Sequence, residues 1–133
     1  MDLVRHLAAV EALRARLDAA GGDPGFHLAD LAAEDGCRDP DEPLLPQWED
    51  DVGAACESLV SALTERYRTP AVLVDLRPHL ERSALGEAVA APLAVLSGHA
   101  DEAFTWRVGR HWIAIADARP HLLAAVADTD LIP

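Results

Sequence analysis

The sequence predicts a small α+β domain spanning residues 1–133, with two N-terminal helices, a small and mainly antiparallel sheet, and a C-terminal helix. Three observations favour this class. Apolar residues recur at helical spacing in residues 2–20 and again in residues 48–68. Residues 103–117 alternate as a β-hairpin does. Half of the 133 residues are hydrophobic, which is enough for one sizeable core. An all-α bundle is the alternative, because residues 103–117 can also be arranged as one helix.

Each N-terminal helix is predicted from one apolar face. The first can begin after Asp2, a suitable capping residue, and end at the glycine pair 21–22. The second ends before Pro70, because the residue that precedes a proline avoids helical backbone angles. The apolar faces comprise Leu3, Leu7, Val10, Leu13 and Leu17 in the first helix, and Val52, Cys56, Leu59, Val60, Leu63 and Tyr67 in the second.

Between these helices, residues 21–47 predict a long acidic loop. The segment is rich in glycine, proline and acidic residues, with room for one helical turn at 27–34. Asp39, Asp41 and Glu42 are its candidate contacts with a partner.

The rest of the chain predicts shorter elements. Residues 71–74 form a brief, partly β-branched run that is typical of a buried strand. We expect a short helix at 80–91 and another strand at 92–97. The last element, at 120–128, is expected to be a helix.

The hairpin at 103–117 has the most regular β pattern in the chain. Gly109 and Arg110 suit its two-residue turn, since glycine at the first turn position favours type II′. Trp112 then falls beside Arg107 on the opposite face of the ribbon from Trp106. There it is either buried under a helix or exposed as a candidate interaction residue. The expected cross-strand pairs are Val108 with His111, Trp106 with Ile113, and Phe104 with Ile115.

A repeated hexapeptide is the most specific feature of the sequence. Residues 75–80 read Asp-Leu-Arg-Pro-His-Leu and residues 117–122 read Asp-Ala-Arg-Pro-His-Leu, each directly after an apolar run. The structural interpretation is a strand-to-helix connector, because proline is favoured in the first helical turn and the aspartate can accept hydrogen bonds there. A duplicated strand-turn-helix unit would explain the repeat.

The functional interpretation of the repeat is a paired site. A histidine in the first turn of a helix is disfavoured in its protonated form, and a neutral imidazole is what a general base requires. An arginine beside free helix N–H groups can hold an anion, and the aspartate can orient either side chain. The candidate catalytic residues are His79, His121, Asp75 and Asp117, and the candidate ligand-binding residues are Arg77 and Arg119.

The net charge of the chain indicates which classes of partner it can bind. The formal net charge is −12, and all eleven basic residues are arginine, a bias typical of a high-GC genome. A strongly negative field repels nucleic acid and anionic membrane surfaces, and it steers a basic protein partner toward the molecule. A homodimer is also compatible with an open ribbon edge.

Other motifs point to a cytoplasmic protein without a cofactor. Two cysteines do not make a secreted disulfide framework. We expect neither a leader segment nor a membrane span, since the sequence shows no charged-then-apolar start and no apolar run of membrane length. We find no phosphate-binding loop and no dinucleotide fingerprint. His99, Asp101 and Glu102 lie close in sequence, but a polar loop explains them as well as a metal site does. We therefore expect no metal.

Two functions remain open from the sequence. The first is a non-catalytic acidic interaction module, such as an inhibitor, an immunity-type protein or an adaptor, that docks on a basic protein surface. The alternative is a small enzyme or ligand-binding domain that uses the two hexapeptides as one site. The test that separates them is whether His79 and His121 share one pocket, with Arg77 and Arg119 facing the same cavity.

Overall fold

Five antiparallel strands form one sheet in the computed structural model, which describes residues 3–20, 25–32, 46–119 and 121–128. Helices lie on both sides of this sheet. The helices are α1 (Leu3–Ala20), α2 (Pro46–Tyr67), α3 (Arg77–Ala84) and α4 (Ala91–Ser97), and the strands are β1 (Phe26–Asp30), β2 (Val72–Asp75), β3 (Glu102–Val108), β4 (His111–Ala118) and β5 (His121–Asp128).

The strand order across the sheet is β1-β5-β4-β3-β2. Strands β3, β4 and β5 follow one another as a meander, joined by tight turns at Gly109-Arg110 and around Arg119. Gly109 adopts a φ of 59°, the left-handed backbone angle that suits glycine in such a turn. Strands β1 and β2, which come earlier in the chain, pair at the two edges of the meander.

A large core lies between the sheet and the helices α1 and α2. It contains the apolar faces predicted for both helices together with Trp106, Ile113, Ile115 and Val126 of the sheet. Burying side chains of this size stabilises the fold by roughly 1.5–3 kcal/mol each. This packing confirms the two N-terminal helices and their inward faces.

A second core covers the other side of the sheet. Leu93 and Leu96 of α4 pack there with Trp112 and with a series of alanines on β4 and β5. Alanine side chains are small, so a helix can lie close to the strands. None of the helices in the described part of the chain is long and apolar enough to cross a membrane.

The hairpin prediction is confirmed in its register. Phe104 pairs with Ile115, Trp106 with Ile113, and Val108 with His111. The all-α alternative is therefore wrong. The strand predicted at 71–74 is present as β2, but the prediction that it is buried is wrong, because β2 is an edge strand whose residues are mostly exposed.

The C-terminal helix predicted at 120–128 is wrong, because these residues form strand β5. Leu122, Leu123 and Val126 suited one face of a helix, yet β5 is buried from both sides and needs no polar alternation. The strand predicted at 92–97 is also wrong, since these residues lie in α4. A short apolar run has no periodicity that distinguishes helix from strand.

Two smaller differences concern the connecting segments. Strand β1 lies inside the segment predicted as an acidic loop. Of the helical turn expected at 27–34, the described residues show helical backbone only at 31–32. The short helix predicted at 80–91 begins earlier and ends at Ala84. Asp39, Asp41 and Glu42 lie outside the described residues.

Candidate functional site

The sheet topology brings the two hexapeptides to the same end of the molecule. Strands β2 and β4 each pair antiparallel with β3, so they run parallel to each other with β3 between them. Two strand spacings of about 4.8 Å separate them. Asp75 at the end of β2 and Asp117 near the end of β4 consequently flank Glu102 at the start of β3, on the face that carries Phe104 and Ile115.

In the first hexapeptide, Arg77 folds back on Asp75. The Arg77 Nε and Nη2 groups donate to the two carboxylate oxygens of Asp75 over 3.0 and 3.1 Å, and the Arg77 backbone N–H donates over 3.0 Å. These side-chain and backbone hydrogen bonds hold the pKa of the exposed Asp75 carboxyl below its ordinary value. Asp75 is therefore a fixed anion that orients Arg77.

In the second hexapeptide, Arg119 makes the corresponding ion pair. Its Nε lies 3.2 and 3.0 Å from the two carboxylate oxygens of Asp117. The guanidinium lies directly against Gly53 of α2, where an added Cβ would be only 2.5 Å from the Arg119 Nη2 atom. The absence of a side chain at Gly53 thus makes room for Arg119.

Both arginines line one polar cavity of about 500 Å³, hereafter the acidic cavity. It lies between α2, the residues that precede β3 and the turn that follows β4. Its described lining carries four carboxylates and two guanidiniums, a formal net charge of −2. The lining residues are Gly53, Cys56, Glu57, Arg77, Asp101, Glu102, Phe104, Asp117 and Arg119.

Both arginines of the acidic cavity are in ion pairs, but most of its carboxylates form none within the described part of the chain. Each arginine is held by the aspartate of its own hexapeptide. Glu57, Asp101 and Glu102 are exposed, and their side chains make no hydrogen bond or ion pair with any residue that the structure describes. The cavity therefore has carboxylates available for a cation, whereas its guanidiniums are already engaged.

Cys56 is a buried, free thiol beside this cavity. Burial, together with the nearby carboxylates of Asp117 and Glu57, raises the pKa of the thiol to about 12. A thiolate is the nucleophilic form of cysteine, and here it is strongly disfavoured. Cys56 consequently fills space in the core and supplies no nucleophile.

The two histidines of the repeat lie in different surroundings. His79 is in the first turn of α3, as the connector interpretation predicts, and lines a separate groove on the other side of the sheet. His121 begins strand β5, where its Nδ1 lies 2.6 Å from Asp30 Oδ2 of β1. The second hexapeptide is therefore a strand-to-strand turn, and the strand-to-helix interpretation is wrong for that copy.

Trp112, the candidate interaction residue, is 4% exposed and belongs to the second core. Its indole also lines the groove that contains His79. No group of three or more histidine, cysteine or acidic side chains is arranged to hold a metal ion within the described ranges.

Sequence reasoning missed several residues of the acidic cavity. Glu57 belongs to the polar face of α2 and carries no local signal of a site. Asp101 and Glu102 stood out only as part of a polar loop. Gly53 did carry a signal, because a glycine inside a helical pattern often marks a close approach of another group.

The fold and the cavity define the molecule as an α+β domain with a concave acidic site beside two ion-paired arginines. Comparisons with protein-family models, with curated proteins and with solved structures give no match to the chain. Its function is accordingly argued from the cavity itself.

Proposed function

We propose that this domain is a non-catalytic interaction module that docks on a basic protein surface and accepts a basic side chain of the partner in the acidic cavity. The observation that carries the proposal is a set of three carboxylates around one concavity, those of Glu57, Asp101 and Glu102, whose oxygens make no hydrogen bond or ion pair with a described residue. The Arg77 guanidinium attracts Asp101 and Glu102 through space only. A partner guanidinium would pair with these carboxylates directly.

The fixed ion pairs support selection for a cation. Because Arg77 and Arg119 are each paired with the aspartate of their own hexapeptide, the described lining keeps a net negative charge that favours a positive group. Each charge-assisted hydrogen bond contributes roughly 1.5–3 kcal/mol. The net charge of −12 would accelerate encounter with a basic partner and make association dependent on salt.

The experiment titrates the protein with an acetylated and amidated tri-arginine peptide and follows backbone amide chemical shifts. A tri-citrulline peptide of the same shape without the charge is the control ligand. We expect the shifts to change around Gly53, Asp101, Glu102 and Asp117 with the arginine peptide, and the response to weaken as salt increases.

Two charge-neutral variants localise the effect. Asp101→Asn combined with Glu102→Gln should weaken peptide binding about tenfold, because two carboxylates are lost from the cavity. Glu81→Gln combined with Glu87→Gln removes the same charge from exposed positions outside the cavity lining and should leave binding nearly unchanged. Equal weakening by both variants, or equal response to citrulline, would contradict the proposal.

The acidic segment of the sequence adds a second part to this proposal. Asp39, Asp41 and Glu42 would extend the negative surface that meets the partner. Removal of residues 34–42 should slow association with the arginine peptide. Association that is insensitive both to this deletion and to salt would argue against docking on a basic surface.

A ligand-binding domain or small enzyme is the second candidate, because Arg77 and Arg119 line the same cavity. In that case an anion would displace Asp75 or Asp117 from its arginine. Titration with succinate, a small dicarboxylate, distinguishes the two candidates. Shifts at Arg77 and Arg119 with succinate, together with no response to tri-arginine, would favour this second function.

A further inference from the structure

A second concavity lies on the opposite side of the sheet, beside the edge strand β2. We call it the apolar groove, and its volume is about 370 Å³. Val72, Val74, Leu93 and Trp112 supply much of its wall, and His79 and Arg107 add basic groups. Its volume lies in the range of roughly 300–1,000 Å³ that is usual for small-molecule sites.

The charge of the apolar groove is the reverse of that of the rest of the molecule. The chain has 23 acidic residues against 11 arginines, yet no acidic residue lines the groove among those that the structure describes. Arg107 is exposed on β3, and its guanidinium makes no hydrogen bond or ion pair with any described residue. The Arg107 guanidinium therefore lies beside an apolar surface, and no carboxylate of the described part of the chain pairs with it.

The wall of the apolar groove combines side chains that are already held in place with an exposed apolar residue that a ligand could cover. Trp112 is 4% exposed and held by the second core, so its position is fixed. The Thr105 hydroxyl is already used, since it donates to the Val72 carbonyl oxygen over 2.9 Å. Val72 remains 61% exposed, and covering it with an apolar group would be favourable.

We propose that the apolar groove binds a small amphipathic carboxylate. The apolar body of the ligand would lie against Trp112, Val72 and Val74, and its carboxylate would pair with the guanidinium of Arg107. Arginine binds carboxylates through two parallel hydrogen bonds, which orients the ligand as well as holding it. The site is separate from the acidic cavity, so the proposal does not depend on the function assigned there.

The overall negative charge of the protein does not prevent such binding. At physiological salt, charges farther than about 8 Å from the ligand are largely screened. Among the described residues that line the groove, Arg107 carries a positive charge and His79 carries one when protonated, and both charges favour an anion. The four carboxylates of the acidic cavity lie on the opposite face of the sheet.

The experiment uses phenylpropanoate and octanoate as an aryl and an alkyl probe, and phenylpropanamide as the neutral control. Binding is followed by amide and indole chemical shifts. We expect at least one carboxylate to bind saturably, with shifts at Val72, Val74 and the Trp112 indole N–H. The amide should bind about tenfold more weakly, because it lacks the charge that pairs with Arg107.

Three variants test the placement of the ligand. Arg107→Gln should weaken carboxylate binding about tenfold and bring it close to that of the amide, whereas Arg82→Gln, an exposed arginine outside the groove lining, should not. Val72→Phe, at an exposed position, should block the groove without disturbing the core. The proposal is overturned if neither carboxylate binds, if the amide binds equally well, or if binding survives both Arg107→Gln and Val72→Phe.

Discussion

At the scale of single residues, the contact between Gly53 and Arg119 connects helix α2 to the acidic cavity. Glycine inside a helix costs about 1 kcal/mol relative to alanine. Here an alanine Cβ would lie 2.5 Å from Arg119 Nη2 and would push the guanidinium aside. Glycine at position 53 therefore lowers the stability of α2 but leaves room for the Arg119 guanidinium beside Asp117.

A double-mutant cycle tests this interpretation of Gly53. In an Arg119→Ala background, Gly53→Ala should stabilise the protein by about 1 kcal/mol, since nothing opposes the gain in helix propensity. With Arg119 present the gain should be smaller, because the guanidinium must move. Urea unfolding measures both values. The same gain in both backgrounds would show that the contact has no energetic consequence.

Cys56 provides a second test at this scale. Its buried thiol has a pKa of about 12, so the native protein should resist alkylation by iodoacetamide at about pH 8. The measurement uses a Cys37→Ser background, since the chain contains two cysteines. Rapid labelling is expected only after denaturation with urea. Fast labelling of the native protein would contradict the placement of the thiol.

At the scale of elements, a polar network ties helix α1 to the sheet. Arg14 Nε donates to His111 Nδ1 over 2.9 Å, and because arginine has no acceptor, Nδ1 must be unprotonated. His111 Nε2 is then the protonated ring nitrogen and donates to Asp18 over 2.8 Å. Glu11 extends the network by accepting hydrogen bonds from Arg14 and from the Tyr67 hydroxyl of α2.

Two histidine-to-alanine variants compare this network with an exposed pair. His111 is 7% exposed, so His111→Ala should destabilise the protein by about 1–3 kcal/mol through the unpaired groups it leaves. His121→Ala removes an exposed partner of Asp30 and should cost less than about 1 kcal/mol. Asp30 retains its hydrogen bonds from the Ala32 and Leu122 backbones. Urea unfolding measures the loss of unfolding free energy in each variant. Equal losses would contradict the structural role of His111.

Elements with a strong local pattern could be predicted from the sequence. The helices α1 and α2 and the hairpin of β3 and β4 follow from periodicity and turn chemistry. Strand β5 could not be predicted, because its alanines favour a helix and only pairing with β1 and β4 makes it a strand. Tertiary contacts overrode local propensity there.

The candidate site shows the same division between local and long-range information. The pairing of Asp75 with Arg77 and of Asp117 with Arg119 is local, and the repeat indicated both. Their convergence depends on β3 lying between the two strands, which the sequence does not specify. His79 and His121 lie in different surroundings for a related reason. The chain continues into a helix after the first hexapeptide and turns back as a strand in the second.

At the scale of the whole molecule, one sheet separates two chemically different surfaces. The acidic cavity opens on the side of α2, and the apolar groove on the side of α4. The first hexapeptide contributes to both, with Arg77 lining the cavity and His79 lining the groove. A repeat that looked like one paired site is thus divided between two concavities.

The Cys56 thiol and the Tyr67 hydroxyl predict that the free energy of unfolding falls at alkaline pH. Burial raises the pKa of Cys56 from 9.0 to about 12, and burial together with the hydrogen bond to Glu11 raises that of Tyr67 from 10.0 to about 12. Above pH 9 the unfolded chain therefore releases protons that the native protein retains. Because the unfolded state then binds fewer protons, the free energy of unfolding falls as pH rises from 9 toward 12.

Urea unfolding at about pH 8 and at about pH 10.5 measures this loss of stability in the native sequence and in a Cys56→Ala, Tyr67→Phe variant. Both proteins carry nearly the same net charge, so general repulsion between acidic groups affects them alike. The variant lacks the two groups that retain their protons, and its stability should decline less over this range. An equal decline in both proteins would show that these two groups do not cause the alkaline sensitivity.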